Sequence, residues 1–277
     1  MKMWVLLHMR KILFIVCLIA FYACNNNQDQ PIQPKANNPY PSYVTNLLKE
    51  IDRFPDSAEL RVQLIDTMDS LNLTKDALSQ IDSLIAKDPG NYGTWFRKGE
   101  LSIRMADTAL AILSFSSAAK IYSNPDVLLT IANLYAAQKN KLALELCNSI
   151  IAQKPDRTYI AHSYYIMGLY EVNMRNTKNA IDNFNSCIQN NYFYIDAYME
   201  IGWIYFDQQK YDKAKETFEK AVTIKPTEAA PHYWQAKCLE KLGQPQDALN
   251  AYQLALNLDS SLSEAAEAIS RIKTAKK

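Results

Sequence analysis

Hydrophobic residues recur along most of this chain in a pattern that repeats about every 34 residues. An alanine is followed four positions later by a mostly larger apolar residue, and three positions after that by another apolar residue. The alanines are Ala77, Ala111, Ala143, Ala180, Ala214 and Ala248. Their separations of 34, 32, 37, 34 and 34 residues predict stacked helical hairpins and not one globular core.

The pattern is clearest between Ile195 and Glu228. Its first half carries Tyr198, Ile201, Gly202 and Tyr205 at helical spacing, and its second half carries Ala214, Phe218, Ala221 and Pro226. This arrangement resembles the tetratricopeptide repeat (TPR), a helix pair with a small residue at repeat position 8, alanine at 20, an aromatic residue at 24 and proline at 32. The resemblance implies an all-α fold, a right-handed TPR-type solenoid.

The same phase divides residues 58–262 into six units, followed by a capping helix. The units are 58–91, 92–124, 125–157, 161–194, 195–228 and 229–262. We expect the third unit to have lost one residue in its internal turn, and residues 158–160 to precede the fourth unit as an insertion. A lead-in helix is predicted in residues 43–57, and a terminal helix in residues 263–277 with Ala266, Ile269 and Ile272 facing inward. Such caps close the apolar ends of a solenoid.

The N-terminus is predicted to be a targeting segment that takes no part in the fold. Residues 1–23 combine a basic start with an apolar run that is too short to span a bilayer as a helix. Ala23 directly before Cys24 resembles a bacterial lipoprotein signal peptide, in which the cysteine is lipidated and anchors the mature protein. Two alternatives are an uncleaved anchor and a plain signal peptide with an incidental cysteine.

The resemblance places the protein in the bacterial cell envelope, with residues 24–42 as the lipidated cysteine and a flexible, proline-rich tether. Asn25 after the cysteine favours the outer membrane, by the rule that holds in some Gram-negative bacteria. The sequence does not indicate which leaflet the protein faces.

Charge gives little indication of a nucleic-acid partner. The formal net charge is +1. Residues 1–23 hold three basic and no acidic residues, so the remaining chain carries 27 basic and 29 acidic residues and a net charge of −2. A nearly neutral chain has no global field that attracts nucleic acid.

Residues for catalysis or metal binding are sparse. The chain has no glycine-rich phosphate loop, and beyond the signal peptide it has only His162 and His232. We therefore predict no enzyme activity, no cofactor and no metal site. Cys147, Cys187 and Cys238 fall at helix-packing positions, which favours buried thiols; if a disulfide forms, Cys147 and Cys187 are the pair from adjacent units.

The resemblance implies that the first helix of each unit lines a concave groove. Carried over residue by residue, its groove positions give a candidate binding surface in the last three units, rich in the large side chains that dominate binding hot spots. Its residues are His162, Tyr165, Leu169, Met199, Trp203, Phe206, Tyr233 and Lys237. The alternative is that some of these side chains pack against the next repeat.

The function we expect is that of a membrane-anchored, non-enzymatic adaptor whose groove binds a partner protein or peptide. Two alternatives are a self-associating lipoprotein, in which the aromatic surface is an oligomer interface, and a glycan- or peptide-binding module. Capture of a chaperone tail requires four clamp residues, and the corresponding positions hold Leu129, Asn133, His162 and Ile166. Only Asn133 matches, which argues against that function.

Overall fold

The structure, a computed structural model, describes residues 40–274. The predicted signal peptide, Cys24 and nearly all of the tether lie outside the described residues. Within residues 40–274 there are fourteen α-helices and no β-strand. None of these helices is both long enough and apolar enough to cross a membrane.

The helices follow one another with short connections. They are α1 (Ser42–Arg53), α2 (Ala58–Ser70), α3 (Thr74–Lys87), α4 (Tyr92–Arg104), α5 (Thr108–Ile121), α6 (Pro125–Ala137), α7 (Leu142–Ala152), α8 (Arg157–Asn173), α9 (Thr177–Asn190), α10 (Ile195–Asp207), α11 (Tyr211–Ile224), α12 (Ala229–Lys241), α13 (Pro245–Leu258) and α14 (Ser263–Thr274). From α2 to α13 the helices form six successive pairs, and each pair contacts the next. The predicted all-α TPR solenoid is confirmed.

The turn inside each pair has the same backbone in all six units. One residue adopts a left-handed conformation, with φ between 57° and 73°. In the second unit this residue is Ala106, whose N–H donates to Ile103 O at 2.9 Å, while Asp107 N–H donates to Ser102 O at 2.9 Å. These two hydrogen bonds form a Schellman motif, which satisfies carbonyl groups at the helix end. Gly243 is the one glycine among the six left-handed residues, so the repeated turn does not depend on glycine.

Close contact between the two helices of a pair is made possible by a residue without a side chain. A Cβ atom added to Gly202 would lie 2.4 Å from the ring of Phe218, and one added to Gly168 would lie 2.4 Å from the ring of Phe184. Both rings are fully buried. Glycine at position 8 therefore lets the phenylalanine at position 24 pack directly against the first helix.

The third unit differs from the others at the start of α7. Its turn residue Lys139 has the usual left-handed backbone. The N–H of Ala143 bonds to Asn140 O, three residues back, whereas the N–H of Ala111 bonds to Asp107 O, four residues back. The third unit is therefore one residue shorter at this point, as predicted, but the missing residue lies at the start of α7 and the left-handed turn itself is intact.

The insertion before the fourth unit lies inside a helix. Residues 158–160 belong to α8, which is 17 residues long, whereas α4, α6, α10 and α12 each have 13. Asp156 caps α8, and its side chain accepts a hydrogen bond from Thr158 N–H at 2.8 Å. The insertion thus adds about one helical turn at the start of α8.

Both ends of the solenoid are covered by single helices. At the N-terminal end, α1 contacts α2 and buries Val44 and Ile51. At the C-terminal end, α14 contacts α13 and buries a set of apolar residues at helical spacing. These residues are Ala265, Ala268, Ile269 and Ile272. The prediction for Ile269 and Ile272 is confirmed, but Ala266 is exposed, because the buried stripe runs through positions three and four residues apart.

Candidate functional site

The predicted binding residues lie on three of the first helices, α8, α10 and α12. We call the surface formed by the first helices of the pairs the A-helix surface. His162 is exposed, and six of the other residues are partly buried. These six are Tyr165, Leu169, Trp203, Phe206, Tyr233 and Lys237.

Met199 is the exception and is corrected here. Only 5% of its surface is exposed, and it packs in the core with Tyr198 and Phe218. A side chain buried to this extent belongs to the helix packing and contributes nothing to an accessible binding surface.

Aromatic side chains from α10 and α12 form one group, which we call the aromatic cluster: Trp203, Phe206, Tyr233 and Trp234. Trp234 is at its centre. Its ring centroid lies 5.9 Å from that of Trp203, 5.4 Å from that of Phe206 and 5.8 Å from that of Tyr233, in each case edge to face. This edge-to-face geometry is the favourable arrangement for aromatic pairs.

A lysine covers the aromatic cluster. The Nζ atom of Lys237 lies 4.3 Å from the ring centroid of Trp234, 5.4 Å from that of Tyr233 and 5.6 Å from that of Phe206. Within residues 40–274, Lys237 makes no ion pair with an acidic residue. Its charge is therefore stabilised mainly by the faces of the rings, as in other cation–π contacts.

Sequence reasoning missed Trp234, although a signal was present. Trp234 is the neighbour of Tyr233 and lies three residues before Lys237, and residues three apart share a face of a helix. Trp234 does not stand at one of the usual groove positions of the repeat, so the resemblance alone does not point to it.

A second aromatic group lies where α8 meets the connection between α9 and α10. The ring centroids of Tyr165 and Tyr194 are 4.9 Å apart, and His162 lies 6.4 Å from the first and 6.1 Å from the second. Burial raises the pKa of both tyrosines. Although His162 is exposed, contact with these rings partly removes its imidazole from water and lowers its pKa, against the opposing charge of Asp126.

A cavity of about 630 Å³ opens between α6 and α8. Its lining residues are mostly polar: Asp126, Leu129, Thr130, Asn133, Asp156, Thr158, Tyr159 and His162. The hydroxyl of Tyr159 donates to Asp126 Oδ2 at 3.3 Å. Tyr159 stands on the extra turn of α8, so this part of the surface exists because of the insertion.

The remaining sequence candidates for chemistry are buried and inert. Cys147, Cys187 and Cys238 are buried free thiols, and burial raises the pKa of each to about 12. His232 is also buried, with Nε2 2.9 Å from Pro226 O. In the part of the chain that the structure describes, no three His, Cys, Asp or Glu side chains are arranged to hold a metal ion.

Comparison with known proteins identifies the repeats. Residues 195–228 and residues 229–262 each match the tetratricopeptide repeat family. No curated protein matches the chain in sequence.

Solved TPR structures are similar in fold. PilW, a widely conserved type IV pilus biogenesis factor, has a TM-score of 0.59 and 15% identity, with 76% of this chain and 96% of PilW covered. A tetratricopeptide repeat protein from Parabacteroides merdae ATCC 43184 also has a TM-score of 0.59 and 15% identity, with 83% of this chain and 91% of that chain covered. The C-terminal part of a TPR repeat-containing protein from Cytophaga hutchinsonii has a TM-score of 0.56 and 18% identity, with 78% and 88% covered.

At these identities the likeness shows the fold alone. Together with the two matched repeats, it establishes that the chain contains tetratricopeptide repeats and that its described residues form a TPR solenoid. This fold is typical of protein–protein interaction scaffolds, which are generally not enzymes.

Proposed function

We propose that this protein is a non-enzymatic adaptor that binds a segment of a partner protein on the A-helix surface of its last three units. In a TPR solenoid this surface is the concave one. The observation that carries the proposal is the aromatic cluster with Lys237 above it. The rings of Trp203, Phe206 and Tyr233 are only partly buried, and tryptophan and tyrosine are among the side chains most often found in binding hot spots.

The second part of the proposal concerns location. We propose that a lipid on Cys24 anchors the adaptor in the bacterial cell envelope, in the outer membrane. The support is the sequence of residues 1–25, with a basic start, a short apolar run and Ala23 before the cysteine. Residues 25–42 then serve as the tether between the lipid and the solenoid.

Self-association is a second candidate, favoured by a separate observation. Phe193 is 73% exposed and Tyr192 is 57% exposed, and their rings contact each other edge to face at 5.6 Å. Both residues lie in the connection between α9 and α10. Large exposed apolar side chains that adjoin each other are typical of contact surfaces.

Crosslinking in cells distinguishes these functions. A photoreactive phenylalanine analogue is placed at Phe206 in the full chain, and in a matched control at Leu254, which is 51% exposed on the second helix of its pair. We expect an adduct with a discrete partner protein from position 206 and none from position 254.

Other results would change the conclusion. An adduct of twice the mass of the chain from a probe at Phe193, with none from position 206, would favour self-association. Adducts of equal yield from positions 206 and 254 would contradict the adaptor proposal, because the A-helix surface would then have no preference for a partner.

A further inference from the structure

Lys237 carries a positive charge on the A-helix surface that no carboxylate of the chain balances. Cations near the two ends of the solenoid are paired: Arg97 lies 2.8 Å from Asp69, and Arg271 lies 2.6 Å from Glu240. Lys237 forms no ion pair with any residue of the described part of the chain. Its ammonium group lies over the rings of the aromatic cluster instead.

The one acidic residue of α12 is engaged elsewhere. Glu240 stands three positions after Lys237, a spacing at which two side chains share a face of the helix. Its carboxylate accepts hydrogen bonds from Arg271 at 2.6 Å and 2.8 Å, and from the hydroxyl of Tyr252 at 3.1 Å. On α10, Asp207 is exposed and forms no ion pair with Lys237. The ammonium group is therefore left without an anionic partner, although a carboxylate stands one turn away.

The aromatic cluster contains a second donor without an acceptor. Nε1 of Trp203 is buried and makes no hydrogen bond within residues 40–274. Buried polar groups in folded proteins are nearly always hydrogen-bonded, so an exception indicates that a partner is missing. Trp203 and Lys237 both contact the ring of Trp234, at 5.9 Å between ring centroids and at 4.3 Å from Nζ to the centroid. Two donors that lack a negative partner thus lie against one ring.

The surroundings of Lys237 strengthen its attraction for an anion. The rings of Phe206 and Tyr233 are partly buried and lie 5.6 Å and 5.4 Å from the ammonium group. Opposite charges attract each other more strongly beside apolar groups than in water. Lys241, one turn further along α12, is exposed and also forms no ion pair among the described residues. The group that complements this surface is a negative charge with apolar neighbours.

We infer that the A-helix surface between α10 and α12 binds an aspartate or glutamate side chain from an extended segment of the partner protein. The carboxylate pairs with the ammonium group of Lys237, and apolar neighbours in the segment pack on the rings of Phe206 and Tyr233. Nε1 of Trp203 is covered in the unbound chain, so its hydrogen bond to the segment requires the partly buried indole to turn on binding. This inference rests on the proposed function, and it names the chemistry of the partner.

The test begins with selection of peptides. The full chain, purified in a non-ionic detergent, is used to select short random peptides displayed on phage. The C-terminus of each displayed peptide is joined to the coat protein, so the selection reports on side chains and not on a terminal carboxylate. We expect enrichment of aspartate and glutamate relative to lysine and arginine. Enrichment of basic residues, or no preference between the charges, would overturn the inference.

Binding of one selected peptide is then measured by fluorescence anisotropy. We expect Lys237→Met to weaken binding by about tenfold, because methionine keeps an unbranched stem over the rings but removes the charge. Trp203→Phe keeps a ring but removes the N–H group, and should weaken binding by about threefold. Lys237→Glu should regain binding to a peptide whose acidic residue is replaced by lysine.

Lys213→Met is the matched control. Nζ of Lys213 also lies over an aromatic ring, 5.7 Å from the centroid of Tyr205, but Lys213 is on α11, the second helix of its pair. The substitution is the same and removes a cation–π contact away from the A-helix surface. We expect it to leave the dissociation constant unchanged.

The outcomes separate this inference from the proposed function. If binding is lost in Phe206→Ala but unchanged in Lys237→Met and Trp203→Phe, the A-helix surface binds a partner but recognition of a carboxylate is wrong. If no selected peptide is sensitive to any substitution on α8, α10 or α12, both conclusions fail. Circular dichroism of each variant establishes that the helices remain folded.

Discussion

At the scale of single residues, the side chain of Glu200 has an energetic cost that its surroundings do not offset. Burial raises its pKa, and the charge of Asp196 raises it further. The ionised carboxylate of Glu200 therefore weakens the fold at this position. A residue kept where it weakens the fold is typical of a functional surface.

We predict that Glu200→Gln stabilises the protein at neutral pH by about 0.5 kcal/mol. Since the pKa of Glu200 is higher in the folded than in the unfolded state, its ionised form opposes folding at pH values above the folded pKa. This penalty disappears as the pH falls below the unfolded value of 4.5, because the side chain is then neutral in both states. The free energies of unfolding of the two proteins, measured with urea, should therefore differ at pH 7 and become equal near pH 4.

The exposed carboxylate of Asp182 provides the control. Asp182→Asn also removes a carboxylate, but from an exposed position on α9, and we expect it not to stabilise the protein at pH 7. A Glu200→Gln variant that is less stable than the original protein at pH 7 would show that the ionised carboxylate contributes to folding, contrary to the interpretation above.

At the scale of helix pairs, positions 8 and 24 are matched in three of the six units. Glycine stands at position 8 in the three units that have phenylalanine at position 24. The three pairs are Gly99 with Phe115, Gly168 with Phe184 and Gly202 with Phe218. Where the second helix carries the smaller Cys147, the first helix carries Ala132. The sixth unit differs, because Ala236 stands at position 8 and the larger Tyr252 at position 24.

We predict that Gly202→Ala destabilises the protein by about 1–3 kcal/mol, the usual cost of overpacking. Helix propensity alone predicts the opposite, because alanine is favoured over glycine by about 1 kcal/mol inside a helix. The added methyl group would lie 2.4 Å from the ring of Phe218, so the steric effect should dominate. Thermal unfolding of the full chain shows whether Gly202→Ala stabilises or destabilises the protein.

A double-mutant cycle with Phe218→Leu isolates the contact. If the steric explanation holds, Gly202→Ala should cost less in the presence of Phe218→Leu than alone, because the smaller side chain leaves room for the methyl group. If Gly202→Ala destabilises the protein equally with and without Phe218→Leu, its effect does not come from the contact with Phe218.

At the scale of the whole molecule, each unit packs only against its neighbours, and α1 and α14 cover the two ends. A fold of this kind is stabilised by local interfaces that repeat along the chain. It leaves one long surface for binding, whereas the proposed anchor is Cys24. Substitutions at the two places test anchoring and binding separately.

We predict that Cys24→Ala moves the protein from the membrane fraction to the soluble fraction of cells, because lipidation of Cys24 is the proposed anchor. The helical content of the released protein, measured by circular dichroism, should equal that of the original chain. Cys17→Ala is the matched control and should leave the protein in the membrane fraction. Retention of the Cys24→Ala variant in the membrane fraction would contradict lipidation at this residue.

The repeat period was enough to predict the fold, but it was not enough to predict the surface. The positions of Ala214, Phe218 and Ala221 indicated the helix pair correctly, because these contacts are made inside one unit. Met199 and Trp234 were misjudged for the opposite reason. Both lie on first helices, and whether a side chain there is buried depends on how closely the neighbouring units approach.

The sequence by itself determined that this chain forms a TPR solenoid, since the small and large residues that specify each helix pair lie within about 34 positions of one another. Only the tertiary structure decided which side chains of the first helices remain accessible and which charges remain unpaired. The ammonium group of Lys237 lies over aromatic rings, and the carboxylate of Glu240 forms an ion pair with Arg271. Glu200 forms no ion pair with another described residue. These relations join residues of different helices and different units, and no periodicity in a single sequence encodes them.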